Sequence, residues 1–453
     1  MNLLKNWKIH LLCLLITLLA EGIGIIKFGI IVFLPLLYSL VIGLIISIPK
    51  LKIMTEEQME AATDYLNISI MLLMTKIGLG IGPNLHIIMN SGWALILQEL
   101  GHLLGTIILG LPVALLVGMR RESIGACYSI DREANVAIII DRYGFHSPEG
   151  RGVMGMYICG TLFGAMWISI LSGVISQLNV FHPLALAMGA GIGSASMMAA
   201  ATGSIVAVHP EFEKEIMSIA GAANLLTSVV GVYFSLFVSL PLMEKLYTFC
   251  ARKFRHTSHE MGGSKNNTAT AETASAATNT AHNAVYEPNT SEPTKAAQPA
   301  LRFSQKCIKF FVIAFIAAII TAIGNILDGK HLFSDSLQGC LILAGISFLG
   351  AVISYLPGFK KLPMVFWVSI LGVILSIPGV PGAMWFTKET AEVTFLATTT
   401  PVLAYAGLSL GKDLDAFKQL SWRIVPVALA VATGTFLCAT LVAEVVLHWE
   451  GLF

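Results

Sequence analysis

Four polar side chains lie inside segments that are otherwise apolar enough to cross a membrane. Lys76 lies in the segment 65–89, and Gln98, Glu99 and His102 lie in the next one. Helical spacing puts these last three residues on neighbouring parts of one face. Ionisable groups are costly to bury at membrane depth and therefore favour a functional role. We expect ion coupling here, with Glu99 or His102 accepting a proton, or Lys76 replacing a coupling cation.

Two structural interpretations compete with ion coupling. Lys76 and Glu99 could form a buried ion pair that fixes the packing of their two helices, or the four side chains could be partly exposed. A third polar group, Thr398, Thr399 and Thr400, directly precedes the helix breaker Pro401. Its hydroxyls could either satisfy the carbonyls that proline frees or coordinate Na⁺ together with them.

Two further segments, 122–140 and 183–207, are apolar but rich in small residues, and we expect each to be re-entrant or broken. Non-helical backbone at membrane depth is tolerated where it is buried in protein or lines a wet cavity, and a half-helix N-terminus suits a carboxylate or phosphate. Tight helix packing is the alternative. The predicted substrate-binding residues are Gly125, Ser129, Asn135, Gly191, Gly193, Ser194, Ser196, Thr202 and Ser204.

Composition requires a lipid environment for most of the surface. Of 453 residues, 55% are hydrophobic and 12% are charged, about half the charged fraction of a soluble protein. The mean hydropathy is +0.77 and the formal net charge is +1, which gives no bias toward nucleic acid. The seven cysteines are scattered without a metal-ligand spacing, so we expect no metal or cofactor.

We predict an all-α polytopic membrane protein with about eleven transmembrane helices, since a span takes roughly 20 apolar residues. The predicted spans are 9–28, 29–48, 65–89, 92–118, 153–177, 214–241, 306–327, 338–357, 362–378, 391–411 and 422–447.

The composition changes abruptly between about residues 256 and 300 to Thr, Ala, Asn, Ser, Glu and Pro. Such a segment cannot bury enough apolar area to offset chain entropy, and it predicts a disordered linker. The linker separates an N-terminal membrane half, 1–255, from a C-terminal half, 301–453.

The two halves resemble each other at a constant offset of 329 residues. Gly43-Leu-Ile-Ile-Ser-Ile-Pro49 matches Gly372-Val-Ile-Leu-Ser-Ile-Pro378, Trp93 matches Trp422, and Gly105-Thr106 matches Gly434-Thr435. Convergent membrane composition is the alternative to a true repeat. We predict one repeat over about 10–118 and a second over about 338–447.

Basic residues in short loops set the orientation. We expect the protein to lie in a bacterial inner membrane with its N-terminus on the cytoplasmic side. This orientation follows from Lys5 and Lys8, Lys50 and Lys52, and the run from Arg120 to Arg151. The same distribution of basic residues predicts that the first repeat enters the membrane from the cytoplasmic side and the second from the outer side. An inverted-topology repeat with two non-spanning segments is typical of secondary transporters.

Two stretches resemble the bacterial membrane family known as Domain of Unknown Function 3100, and the resemblance extends over the chain apart from the linker. They are Arg121-Glu-Ser-Ile-Gly125 with Arg132 to Gly144, and His146-Ser-Pro-Glu-Gly-Arg-Gly-Val-Met154 with Cys159 to Gly164. This family name implies no activity.

The segment Leu184 to Ser196 is also remotely similar to LrgB-type proteins and to the bile-acid, glutamate and cation/proton transporter folds. That wider similarity implies crossed broken helices, an elevator-like carrier movement and, by analogy, a homodimer. LrgB-like proteins usually have a His before the Gly-Thr-Ala of the second segment, where this chain has Gly193-Ser-Ala-Ser196. The substrate therefore cannot be carried over.

The leading hypothesis is a secondary active transporter of a small polar or anionic metabolite, coupled to H⁺ or Na⁺. The alternative is an LrgB-like passive pore or regulator of envelope integrity and lysis. No hydrolase, nucleotide-binding or metalloprotease motif has its required context, so we do not expect an enzyme.

Overall fold

A computed structural model describes residues 6–28, 31–128, 133–144, 147–191, 193–260, 302–359, 362–414 and 422–451. These residues are almost entirely helical. The exception is a short antiparallel hairpin, β1 (Ile26–Phe28) and β2 (Ile31–Phe33), in which Ile26 pairs with Phe33.

The first half contributes fourteen described helices. They are α1 (Trp7–Ile23), α2 (Pro35–Ser47), α3 (Glu56–Ile81), α4 (Leu85–Asn90), α5 (Gly92–Gly105), α6 (Leu111–Leu116), α7 (Glu122–Ala126), α8 (Glu133–Tyr143), α9 (Pro148–Cys159), α10 (Ala165–Gln177), α11 (Pro183–Ala190), α12 (Ala195–Val208), α13 (Glu213–Phe234) and α14 (Leu240–Glu260). Three π-helical segments, Thr106–Gly110, Gly160–Gly164 and Ser235–Ser239, join α5 to α6, α9 to α10 and α13 to α14.

The second half contributes six more described helices. They are α15 (Phe303–Asn325), α16 (Phe333–Tyr355), α17 (Met364–Ser376), α18 (Ala383–Ala391), α19 (Phe395–Leu410) and α20 (Ile424–Trp449).

Six described helices are long and apolar enough to cross a membrane, or seven if the pair α18 and α19, bent by 70°, counts as one span. The predicted count of eleven is not confirmed. One reason is that several predicted spans form shorter helices. The first ends at Ile23, before the hairpin, and α2 and α17 have only 13 residues each, below the roughly 20 that a straight span needs.

The offset of 329 residues also relates observed helices and their contacts. Adding 329 to the first and last residue numbers of α2 gives those of α17. Adding 329 to the last residue number of α3 gives that of α19. A Cβ on Gly43 of α2 would lie 3.0 Å from the Cα of Gly407 in α19, and one on Gly372 of α17 would lie 3.2 Å from the Cα of Gly78 in α3. Each short helix therefore packs against the long helix of the other half.

Hydrogen bonds repeat the same relation. Ser47 Oγ donates to the carbonyl of Gly407 at 3.0 Å, and Ser376 Oγ donates to the carbonyl of Gly78 at 3.4 Å. The helices α5 and α20 cross where Gly105 meets Gly434, and these two glycines are also related by the offset. Small residues at all these crossings let the backbones approach closely, as membrane helices commonly do.

The described residues of 6–247 and 307–451 form one compact unit. The predicted linker, 256–300, lies outside the described residues apart from its first five, which continue α14 to Glu260.

Candidate functional site

The polar face of α5 is buried. Gln98 is 0% exposed, Glu99 3% and His102 7%. Gln98 Nε2 donates to Glu99 Oε1 at 3.1 Å, and Glu99 Oε2 lies 3.6 Å from His102 Nδ1. The predicted face is therefore one connected group of side chains. Within the described residues, His102 is the only basic partner found within 4 Å of this carboxyl group.

The helix α13 supplies the other side of this group. Thr227 Oγ1 contacts both Glu99 Oε1 and the carbonyl of Ala223, the latter at 2.8 Å. A hydroxyl has only one hydrogen to donate. Thr227 can donate it to an ionised Glu99, or it can donate to Ala223 and accept a hydrogen bond from a protonated Glu99. The surroundings of Glu99 thus accommodate both protonation states.

A small cavity adjoins Glu99 and His102. Its volume is about 10 Å³, the lower limit for one water molecule. One π-helical segment supplies Ser235 and Ser239 to its lining, and another starts at Thr106, four residues after His102. Such segments occur frequently at functional sites. The lining residues are Glu99, His102, Leu103, Tyr128, Gly231, Phe234, Ser235 and Ser239.

The segment 183–207 is broken, as the sequence predicts. Helix α11 ends at Ala190, α12 begins at Ala195, and Gly193 has a φ of +88°, a conformation that L side chains rarely adopt. Asn224 of α13 holds this break because its Nδ2 donates to the carbonyls of Gly191 at 2.8 Å and Gly193 at 3.2 Å. Whether the segment is re-entrant in a membrane stays a prediction.

The hydroxyls predicted in this segment fall into two groups. Ser194 and Ser196 are half-buried at the break, with their Oγ atoms 3.2 Å apart. Thr202 and Ser204 lie deeper on α12, and Ser204 Oγ forms a 2.6 Å hydrogen bond with Ser169 Oγ. Ser204 therefore joins α12 to α10, whereas Ser194 and Ser196 are the better placed to meet a ligand.

One helix therefore joins the two predicted sites. Asn224 and Thr227 lie one turn apart on α13, and they bond to the break after α11 and to Glu99, respectively. Neither residue stands out in the sequence, since each is an ordinary polar residue within a predicted span. The available signal was a four-residue spacing of small or hydroxyl-bearing residues at 227, 231, 235 and 239.

Replacing Asn224 by Ala should destabilise the protein by about 1–3 kcal/mol, because two buried carbonyls lose their shared donor. Chemical unfolding in detergent would measure this change. Asn67→Ala is the matched control, since Asn67 is exposed on α3. Equal stability of the two variants would show that Asn224 does not hold the break.

Lys76 lies at a different place from Glu99. Its Nζ donates to the carbonyl of Thr390 at 2.5 Å, at the C-terminal end of α18. A cation is favourable there because the last carbonyls of a helix carry partial negative charge. The alternative of a Lys76–Glu99 ion pair is not found among the described residues. Lys76 instead stabilises the bend between α18 and α19, where Asn325 also bonds to Glu392 and Thr394.

The three threonine hydroxyls before Pro401 bond to carbonyls of their own helix. Thr398 Oγ1 donates to Phe395, and the hydroxyls of Thr399 and Thr400 both donate to Leu396. Pro401 lies inside α19 and does not end it. The carbonyl that Pro401 leaves without its helical amide is that of Ala397, four residues earlier, and none of these three bonds goes to it. The choice between a structural role and Na⁺ coordination for these threonines stays a prediction.

The structure describes two of the three residues predicted in the segment 122–140, Gly125 and Asn135. A Cβ on Gly125 would lie 1.9 Å from the carbonyl of Glu149, so this glycine serves close packing of α7 on α9. Asn135 is buried on α8, and Ser129 lies outside the described residues. Tyr128 nevertheless brings this segment to the cavity beside Glu99.

The long apolar helices and their buried polar groups define a multi-pass membrane protein. Residues 18–249 match the family described as a protein of unknown function (DUF3100), and since the match spans just over half of the chain, the protein belongs to this family. Glu99, His102, the break at 191–194 and α13 all lie within the matched range. No curated protein and no solved structure matches the chain.

The motifs that carry the family resemblance form a helix clasp. Arg121 Nη2 lies 2.5 Å from Glu149 Oε1, and Arg151 Nη2 lies 3.5 Å from Glu122 Oε1. Between these crossed ion pairs, Gly152 packs against the carbonyl of Glu122 as closely as Gly125 packs against that of Glu149. The clasp fixes α7 on α9 and thereby positions Tyr128 at the cavity.

Proposed function

We propose that this protein is a proton-coupled secondary transporter of a small polar or anionic metabolite in the bacterial inner membrane, with its N-terminus in the cytoplasm. One observation carries the proposal. A single helix, α13, holds the broken segment through Asn224 and the buried Glu99 through Thr227, one turn apart. A shift of α13 would therefore act on a substrate subsite and on a titratable group together, as coupled transport requires.

The relation between the two halves supports a carrier. The helix α2 packs on α19 and α17 packs on α3, and these two contacts are related by the offset of 329 residues. Together with the distribution of basic residues in the loops, they fit an inverted repeat. In such carriers, substrate binds where broken helices meet near the bilayer midplane. The half-buried Ser194 and Ser196 at the start of α12 supply hydroxyls at a helix N-terminus, which suits a carboxylate or a phosphate.

A proton suits the Glu99 site better than Na⁺. An imidazole nitrogen of His102 lies 3.6 Å from Glu99 Oε2, and His and Glu side chains are common proton carriers. Thr227 can serve either protonation state of the carboxyl group. The adjoining cavity has a volume of about 10 Å³, which is too small for a metabolite and at the lower limit for one water that could carry a proton.

Uptake by the purified protein in proteoliposomes tests this function. The probes are a panel of small carboxylates, phosphate and phosphate monoesters, each measured with an imposed proton gradient, an imposed Na⁺ gradient, or neither. The proposal expects saturable accumulation of at least one probe that depends on the proton gradient.

Two outcomes would contradict this function. Non-saturating flux that ignores both gradients would favour a passive pore, the alternative that the sequence also allows. Absence of any response to either gradient across the whole panel would exclude ion-coupled transport of this substrate class.

A further inference from the structure

We infer that a proton path connects Glu99 to a half-exposed surface cluster of Glu244, Arg142 and Tyr143, running through the cavity and past Tyr128. This inference rests on the proposed function, since it names how the coupling proton would reach its site. The experiment below nevertheless does not require that any substrate be known.

The inner end of the path is the cavity beside Glu99. Tyr128 is 1% exposed and lines this cavity, and within the described residues its hydroxyl has no hydrogen-bond partner. A buried hydroxyl without a partner costs free energy, so an explanation is needed for its presence. One water in the cavity would give the Tyr128 hydroxyl a partner and would connect it to Glu99 or His102.

The wall of the path is one face of a nearly continuous helical segment. Thr227, Gly231, Ser235 and Ser239 follow each other every four residues from α13 into the π-helical segment. Thr227 bonds to Glu99, and Ser239 Oγ donates to the Tyr128 carbonyl at 3.5 Å. A Cβ on Gly231 would lie 3.4 Å from Glu99 Oε2, so glycine keeps this wall open at the carboxyl group.

The outer end lies just beyond Ser239. Glu244 follows Ser239 by five residues, in the first turns of α14, and its side chain is 35% exposed. It accepts a hydrogen bond from the Tyr143 hydroxyl and lies 3.5 Å from Arg142 Nη2. Burial, followed by the hydrogen bond to Glu244, raises the pKa of Tyr143 to about 12, so Tyr143 remains a neutral donor at neutral pH. Tyr143 and Arg142 thus hold the side chain of Glu244 at the surface, at the outer end of the path.

Few other titratable groups face Glu99. His102 and Tyr128 line its cavity, and Thr227 and Gly231 are the α13 residues that meet it. On α20, which packs along α5, Cys438 meets Gly101 through its backbone carbonyl. Glu213 and Lys214 lie at the opposite end of α13 from Thr227. The described neighbours therefore leave the cavity, and Tyr128 within it, as the access to this carboxyl group.

Infrared difference spectroscopy after a pH jump tests the path without a substrate. The protein is reconstituted into sealed vesicles in one orientation or the other. The carboxylic C=O band that is present in the wild type and absent in Glu99→Gln reports the protonation of Glu99. Tyr128→Phe removes a hydroxyl without a described partner, so the variant should fold normally and keep this band. We expect its protonation rate to fall about tenfold in the orientation that exposes Glu244 to the medium, because one relay hydroxyl is lost.

Tyr65→Phe is the matched control, since Tyr65 is equally buried but stacks on His10, away from the cavity. An unchanged rate in Tyr128→Phe, or equal slowing in both variants, would overturn the path. If no band titrates in the wild type, Glu99 is not a proton site and the path fails with it. If Tyr128→Phe slows protonation while no probe is transported, the path stands and the transport function fails.

Discussion

Replacing Glu99 by Gln is expected to abolish accumulation driven by a proton gradient. The amide keeps the shape of the side chain and one carbonyl oxygen but cannot take up or release a proton. Positioned acid or base groups typically contribute at least about 100-fold to a proton-transfer rate, and we expect a loss of this size in the initial rate of gradient-driven uptake. The measurement is uptake of a transported panel compound into proteoliposomes under an inward proton gradient.

Glu211→Gln is the control for this prediction because it makes the same chemical change on an exposed side chain. It should leave uptake unchanged. The Glu99→Gln protein should still exchange internal for external substrate without a gradient, since Ser194, Ser196 and Asn224 are intact. Normal gradient-driven accumulation by Glu99→Gln would show that the coupling ion binds elsewhere.

Replacing Gly105 by Ala should prevent stable folding. A Cβ at this position would lie 2.1 Å from the carbonyl oxygen of Gly434, and Gly434 is equally close in return. Backbone cannot give way there as a flexible side chain could, so α5 and α20 would have to separate. We expect a destabilisation of about 3 kcal/mol or more, measured by unfolding in detergent and by the yield of monodisperse protein.

Gly345→Ala provides the comparison, because Gly345 also lies inside a helix but a Cβ there would meet nothing within 4 Å. Alanine favours a helix over glycine by up to about 1 kcal/mol, so this variant should be as stable as the wild type or slightly more stable. If Gly105→Ala behaves like Gly345→Ala, the close crossing of α5 and α20 is wrong.

Local patterns in the sequence were sufficient for part of this structure. Composition predicted membrane helices, and the spacing of Gln98, Glu99 and His102 predicted their shared buried face. The motif Arg121 to Gly125 pointed to the right family, although the match covers residues 18–249 and leaves the second half outside it. Each of these features depends on residues close together in the chain, which is why a sequence pattern reveals it.

Long-range partners could not be read in the same way. Thr227 meets Glu99 across 128 positions, and Lys76 meets Thr390 across 314, and no local spacing encodes either contact. Span lengths failed for a different reason. The helix α2 begins at Pro35, after the hairpin, and ends at Ser47, just before the Ile48–Pro49 pair that disfavours helix, so the apolar run 29–48 overstates its length.

The bend in the second half shows how a breaker residue can mislead. Pro401 was the evident breaker, yet the chain bends before it, between Ala391 and Phe395. Asn325 and Lys76 hold that bend through contacts with Thr394 and Thr390. Pro401 itself lies inside α19, since proline is tolerated within membrane helices.

The internal pH of proteoliposomes, followed during substrate movement with no ion gradient imposed, tests most directly whether Glu99 carries the coupling proton. A trapped pH-sensitive dye would be followed while a transported panel compound is added outside. Coupling at Glu99 predicts a pH change that accompanies substrate entry in the wild type and is lost in Glu99→Gln. Substrate entry without any pH change, or an equal pH change in both proteins, would contradict a proton site at Glu99.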